Sequence, residues 1–292
     1  MPQVRTKLMF SLRRLAYTAA FLAACLLTRA AVAADLPTAA PTPLERGFHL
    51  LYDLDFARAQ QEFTGWQQQH SDDPLGPASE GAALLFSELN RLGVLEAQFY
   101  TQDSAFDARP KLSPDPALRT RFNAVLAQAE TSARNRLAKD SKDPDALFAM
   151  TMASGLRADY AALVEKRNMA SLHYTRDAEG WAHQLLAVDP HCYDAYLAIG
   201  ISKYIIGSAS APVRWLLHLG GYDGSKQGGI ADLQLTAEHG HYLAPFARIL
   251  LAIAYVREDH KQDARQVLTS LQQEFPANPL FAREISRLAS QH

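Results

Sequence analysis

Hydrophobic residues recur at three- and four-residue steps near the end of the chain, the spacing that places side chains on one face of an α-helix. The first run comprises Leu243, Phe246, Ala247, Leu250, Leu251, Ala254 and Tyr255. After a polar break at 258–260, the second comprises Ala264, Val267, Leu268, Leu271 and Phe275. Pro276 ends it, because proline cannot donate the hydrogen bond that would extend a helix. We predict an antiparallel helix hairpin over 244–279.

Shorter runs with the same period predict helices along the rest of the chain. They cover 44–54, 56–70, 79–95, 115–139, 178–186, 196–205, 225–239 and 280–288, with a loop at 101–114. Ser79 and Asp115 are placed as helix caps, and Pro116 suits the first turn that follows such a cap. No stretch shows the period-two alternation of a half-buried strand, so the sequence predicts an all-α fold.

One interruption departs from the helical rhythm. The segment 207–212 is rich in glycine, serine and proline, which breaks a helix, and it is followed by an apolar stretch over 213–219. We expect this inserted segment to fold back and cover the core. Its Trp215 and leucines beside Arg214 leave contact with a membrane or a partner protein as the alternative.

The spacing of several residues resembles that of the tetratricopeptide repeat, a helix-turn-helix unit of about 34 residues. The matching residues are Leu251, Ala252, Tyr255, Ala264, Leu268, Leu271 and Pro276, with Phe56, Ala59 and Phe63 near the start and Tyr196, Ile199 and Gly200 between. The resemblance implies an α-solenoid of stacked helix hairpins, with irregular inserted helices and a polar-backed capping helix at 280–288. It also implies a scaffold that binds proteins.

Repeats of this family that hold a peptide's terminal carboxylate carry Lys, Arg and Asn on their concave side. The equivalent positions here are mostly apolar: Asp194, Leu197, Ile201, Tyr204, Ile205, Phe246, Ile249, Ile253, Val256 and Arg257. All of them except Asp194 form the candidate protein-binding concave face. The inner surface is therefore either filled by the chain's own inserted segments, which we expect, or used to bind something hydrophobic.

The N-terminus has the features of an export signal. Basic residues precede an apolar run at 15–27, and the small residues Ala31 and Ala33 flank Val32 as a signal-peptidase site requires. The predicted organisation is a signal peptide at 1–33, a flexible linker at 34–43 and a helical-repeat domain at 44–292. An alternative cut precedes Cys25, because Leu22-Ala23-Ala24-Cys25 resembles a lipobox and would make a membrane-anchored lipoprotein.

Charge and composition narrow the partners. The net charge is only −2 and no long basic run follows the first residues, which argues against nucleic acid, whose phosphates require clustered Lys and Arg. Removal or modification of Cys25 would leave Cys192 unpaired, and we expect Cys192 to be a small core residue. We expect no cofactor.

Few groups suggest catalysis. His239 and His241, with His183, His191 or His218, are the best candidates for a metal site, but histidines two apart do not share a helical face. The glycine-rich run 220–229 lacks the spacing of a phosphate-binding loop, so a tight turn with Asp223 or Ser225 as a helix cap is expected. The sequence thus predicts an exported, non-catalytic scaffold for protein binding in a bacterial periplasm or cell envelope. Two other functions stay open as alternatives: an envelope-assembly lipoprotein anchored through Cys25, and a metal-dependent hydrolase.

Overall fold

The computed structural model describes residues 40–96 and 112–290. Twelve α-helices and no strand occur within them, so the all-α prediction is confirmed. The helices are α1 (Pro43–Tyr52), α2 (Phe56–Gln69), α3 (Leu75–Arg91), α4 (Pro116–Leu137), α5 (Pro144–Asp159), α6 (Asn168–Val188), α7 (Tyr196–Ser208), α8 (Ala211–Leu219), α9 (Lys226–His239), α10 (Ala244–Arg257), α11 (Lys261–Glu274) and α12 (Pro279–Ala289). The predicted signal peptide, most of the linker and most of the 101–114 loop lie outside the described residues.

Polar side chains open several of these helices. Thr42 and Glu45 form a reciprocal capping box at α1, Asp115 accepts from the backbone N–H of Ala117 (2.8 Å), and Asn278 accepts from that of Leu280 (3.0 Å). A proline occupies the first turn of each of these three helices, where its missing N–H costs nothing. The cap and boundary expected at Asp115 are therefore confirmed.

The N-terminal and C-terminal hairpins close their turns in the same way. Leu54 follows α1 and Asp259 follows α10, and both have a backbone φ of 63°. The next residue in each turn donates to a carbonyl five positions back, Asp55 to Leu50 (2.9 Å) and His260 to Tyr255 (2.8 Å). This shared geometry brings α2 back along α1 and α11 back along α10. Consecutive helices pack as pairs along the chain, as a helical-repeat fold requires.

Two helix starts differ from the sequence prediction. The helix expected to begin after Ser79 begins at Leu75, and Ser79 lies buried inside it, because Asp73 accepts from the N–H of Leu75 (2.9 Å). No helix was predicted to start at Asp143, yet its carboxylate caps α5 by accepting from the N–H of Ala146 (3.0 Å).

The inserted helix α8 does not cover the core, contrary to expectation. None of its residues is buried, and Trp215 and Leu216 are each 64% exposed. Its neighbours α7 and α9 instead pack directly on each other, with the insertion outside their contact. The break at 207–212 is placed as predicted, since α7 ends at Ser208.

The first helix is joined to the last part of the chain. The Tyr52 hydroxyl donates to the carbonyl oxygen of Tyr242 (3.0 Å), and the Asn278 side-chain amide donates to that of Tyr52 (2.8 Å). The backbone N–H of Ala277 donates to the Asp53 carboxylate (3.1 Å). These bonds connect positions about two hundred residues apart, so the main core includes side chains of α1 to α6 together with those of α11 and α12.

Candidate interaction surface

The nine residues of the predicted concave face lie on α7 and α10, but their exposure differs widely. Leu197 is buried, whereas Ile205 is 58% exposed and Arg257 is also exposed. The remaining members are half-buried: Ile201, Tyr204, Phe246, Ile249, Ile253 and Val256. The predicted face is therefore only partly a surface of the folded chain.

The N-terminal half of α10 is covered by other parts of the chain. The ring of Phe246 packs edge-to-face on Phe86 of α3, with centroids 5.3 Å apart. Ile249 packs against the main core, and Leu197 belongs to a second core cluster with Leu233 of α9 and Leu251. This end of α10 is therefore packed against other helices of the chain.

The other end of α10 lies beside the end of α7. The Tyr204 hydroxyl donates to Glu258 (3.4 Å), and the same carboxylate oxygen accepts from the Lys226 ammonium (2.7 Å). Burial and the nearby Glu258 charge raise the pKa of Tyr204, so its hydroxyl stays protonated and able to donate. Ile205 and Ile253 are not packed against either described core cluster. We name Ile201, Tyr204, Ile205 and Ile253 the α7/α10 strip.

Asp194 has a structural role that the sequence did not indicate. Its carboxylate is buried and accepts from the backbone N–H groups of Tyr242 and Leu243 (both 3.0 Å), at the start of α10. Burial raises its pKa, although these two hydrogen bonds act in the opposite sense. A β-carbon at Gly240 would lie 2.6 Å from Asp194 Oδ1, so this turn requires glycine. Asp194 therefore fixes the turn and is not part of an open concave face.

Tyr242 connects distant helices from the turn before α10. Its ring centroid lies 5.0 Å from that of Phe48 in α1 and 6.3 Å from that of Phe148 in α5. Burial, together with the charges of Glu45 and Asp194, raises its pKa to about 12. The ring is thus a neutral aromatic contact between helices at neutral pH.

Two buried carboxylates of α3 are also explained by packing. Glu88 accepts from Arg91 (2.7 Å) and from the backbone N–H of Asp115 (2.8 Å), while Glu80 accepts from Arg121 (2.8 Å). Buried carboxylates that are paired and hydrogen-bonded in this way join helices. Here they hold α3 to the start of α4.

The histidines considered as metal ligands each face a different partner. The nearest acids are Glu179 for His183 (3.8 Å), Asp223 for His218 (2.5 Å), Glu238 for His239 (3.7 Å) and Glu45 for His241 (3.3 Å), and the His191 ring lies 6.2 Å from that of Tyr193. Within 40–96 and 112–290, no group of three His, Cys, Asp or Glu side chains is arranged to hold a metal ion.

Cys192 and the glycine-rich run complete the candidate chemistry. Burial, with Asp194 and Asp189 nearby, raises the pKa of the Cys192 thiol to about 12, so the thiol stays protonated at neutral pH. Ser225 accepts from the backbone N–H of Gly228 (3.2 Å), which confirms that it caps α9. A β-carbon at Gly229 would lie 2.6 Å from the backbone N of Tyr204, so this glycine allows α9 to approach α7.

Comparison with known proteins adds no relative. No family model matches the chain, and neither a curated protein nor a solved structure matches it. No helix in the described ranges is long and apolar enough to cross a membrane. The architecture defines the chain as an all-α protein of consecutively packed helix pairs, compatible with a helical-repeat fold.

Proposed function

We propose that this protein is an exported, non-catalytic helical-repeat scaffold of the tetratricopeptide type that binds another protein in a bacterial periplasm or cell envelope. The observation that carries the proposal is the α7/α10 strip, where Ile205 is 58% exposed and Tyr204 and Ile253 are half-buried. Exposed apolar groups beside polar ones are typical of protein-binding surfaces. The matching turns of the two terminal hairpins support the repeat assignment.

The strip gives the proposal a definite location. Ile205 contributes the most exposed aliphatic side chain on α7, and Ile253 of α10 is half-buried outside both core clusters. Tyr204, held by Glu258, lies between polar and apolar surroundings, which is the setting in which tyrosine contributes most to binding. The buried Leu197 belongs to the core and is not part of the proposed contact.

A photo-crosslinking amino acid at position 205 tests this function in intact cells. We expect discrete crosslinked products that weaken at least about tenfold when Ile253→Asp is added, because a charge would be buried in an apolar contact. Met169→Asp is the matched control, since Met169 is 79% exposed on a different helix, α6, and should leave the products unchanged. The absence of products from a protein with native helicity would contradict the proposal.

A lipid-anchored form remains the alternative, resting on the Leu22-Ala23-Ala24-Cys25 motif. It would place the same scaffold at a membrane surface and assign it to envelope assembly or maintenance. The intact mass of the processed protein distinguishes the two forms. A chain beginning at Ala34 supports the unanchored scaffold, and a lipid-modified chain beginning at Cys25 supports the lipoprotein.

A further inference from the structure

Helix α8 presents its apolar residues to solvent. Val213 is 49% exposed, Trp215 and Leu216 are each 64% exposed, and Leu219 is 63% exposed. Leu219 lies four residues after Trp215 and three after Leu216, so these side chains share one side of the helix. This is an uncommon concentration of large exposed apolar groups on one short element.

The polar residues of α8 make hydrogen bonds close to the helix. The Arg214 guanidinium donates to the carbonyl oxygens of Gly207 (3.3 Å) and Ala209 (3.4 Å), and His218 Nδ1 lies 2.5 Å from Asp223 Oδ1. Arg214 and His218 are four residues apart and so share one side of the helix. Both side chains nevertheless stay exposed, and Leu217 is the one residue of α8 that is half-buried. Most of the helix surface, apolar as well as polar, therefore faces solvent.

The base of the insertion is held closed by close backbone packing. A β-carbon at Gly224 would lie 2.5 Å from the backbone N of Gly207, and one at Gly207 would lie 2.5 Å from that of Lys226. The Arg176 guanidinium lies over the Tyr222 ring, 5.0 Å from its centroid. These contacts hold the two ends of the insertion together, next to the end of α7 and the start of α9.

The charge around α8 suits an anionic surface. Lys203 pairs with Asp232 and Lys226 pairs with Glu258, both at 2.7 Å, so these pairs cancel. The helix itself carries one cation, Arg214, and no acidic side chain, in a chain whose overall net charge is −2.

The size of α8 favours a lipid surface over a protein partner. The helix has nine residues, whereas a stable protein interface takes about 20–30 residues a side. An amphipathic helix that lies on a membrane buries its apolar side only about 5–10 Å deep, which a single exposed helix can supply. Tryptophan is enriched at that depth, because its ring is apolar and its N–H can hydrogen-bond with water or headgroups.

We propose that α8 inserts Val213, Trp215, Leu216 and Leu219 into the surface of an anionic lipid bilayer. The contact would be reversible and would not require lipid on Cys25. It does not depend on the proposed protein-binding function, which uses other residues. Because both ends of the insertion are packed against α7 and α9, the contact would orient the rest of the chain relative to the membrane.

Vesicle flotation of the exported protein carrying Cys25→Ser, which cannot be lipidated, tests the inference. We expect it to float with vesicles of phosphatidylethanolamine and phosphatidylglycerol, and less with phosphatidylcholine alone. Trp215→Ser with Leu216→Ser should reduce the bound fraction at least about tenfold, because each side chain loses its apolar burial. Met169→Ser with Val188→Ser, at exposed positions outside α8, should leave binding unchanged.

A second readout locates the contact. Brominated lipid should quench part of the tryptophan fluorescence of the parent protein, and that part should be missing from the Trp215→Ser variant. Flotation equal to the parent by the α8 variant, or no flotation by a parent with native helicity, would overturn the inference. A concentration-dependent dimer abolished by the same variant would assign this face to a second copy of the chain and would overturn it as well.

Discussion

Glycine positions decide how closely α7 and α9 approach. A β-carbon at Gly200 would lie 3.0 Å from the carbonyl oxygen of Gly229, and one at Gly229 would lie 2.7 Å from that of Gly200. The sequence correctly indicated a helix cap in this region, which the structure places at Ser225. It could not indicate that Gly229 faces Tyr204. That contact requires α9 to pack on α7 although α8 lies between them in the sequence.

Gly229→Ala is expected to lower the free energy of unfolding by about 1–3 kcal/mol, because the added methyl group meets backbone atoms that cannot move aside. Gly180→Ala in α6 is the matched control. A β-carbon there meets nothing within 4 Å, so this change should stabilise the protein by about 0.5–1 kcal/mol. Urea unfolding of both variants gives the comparison, and equal effects would rule out the proposed helix contact.

At the scale of elements, the amphipathic helices were predictable and the buried one was not. In α5 almost every position from Ala146 to Ser154 is buried, so the apolar residues show no one-sided period. Its Asp143-Pro144 start has the same form as the Asp115-Pro116 start of α4, and that signal could have located it. The end of α5 passes into a π-helical turn, Tyr160–Val164, where Tyr160 stacks on Phe122 with centroids 4.9 Å apart.

Asp159, the last residue of α5, predicts a pH dependence of stability. Burial raises the pKa of its carboxyl from 3.8 to about 7, so the folded state keeps a proton that the unfolded state loses. Its contribution to stability is therefore complete below pH 3.8 and is lost as the pH rises toward about 7, above which no further change is expected from this group.

Asp159→Asn removes this titration. We expect the variant to be more stable than the parent above pH ~7 and to differ less from it below pH ~4, as measured by urea unfolding across that range. A constant difference between the two proteins at all pH values would show that the carboxyl titrates normally in the folded state.

At the scale of the molecule, the chain closes on itself. Tyr52 and Asn278 are joined across 226 positions of sequence, and Tyr52 and Tyr242 across 190. Hydrophobic periodicity predicts each hairpin but carries no information about which hairpins meet. Phe246 packs on Phe86 and Tyr242 on Phe48, two contacts that periodicity could not indicate. The inserted helix α8, which was expected to cover the core, is exposed instead.

The contacts between α1 and the C-terminal helices, which we call closure, predict a behaviour that an open solenoid would not show. In a stack of repeats with free ends, the terminal hairpin opens first, because it has a neighbour on one side only. Here α1 has partners on both sides. Its amides should therefore exchange with solvent only through the opening that also exposes α10.

Asn278 provides the matched variants. Asn278→Ala removes the bond to the buried Tyr52 carbonyl and the cap of α12, and should lower the free energy of unfolding by about 2–4 kcal/mol. Asn278→Ser should recover about 1 kcal/mol of this, because serine restores the cap without reaching Tyr52. The loss of unfolding free energy that serine does not recover measures the hydrogen bond from the Asn278 amide to the Tyr52 carbonyl.

Native-state hydrogen exchange of α1 tests closure most directly. We predict that the slowest amides of α1 and α10 share one opening free energy, equal to that of global unfolding, and that Asn278→Ala lowers both together. Exchange of α1 at a much lower free energy than α10, with α10 unaffected by Asn278→Ala, would contradict closure and would indicate an open stack of hairpins.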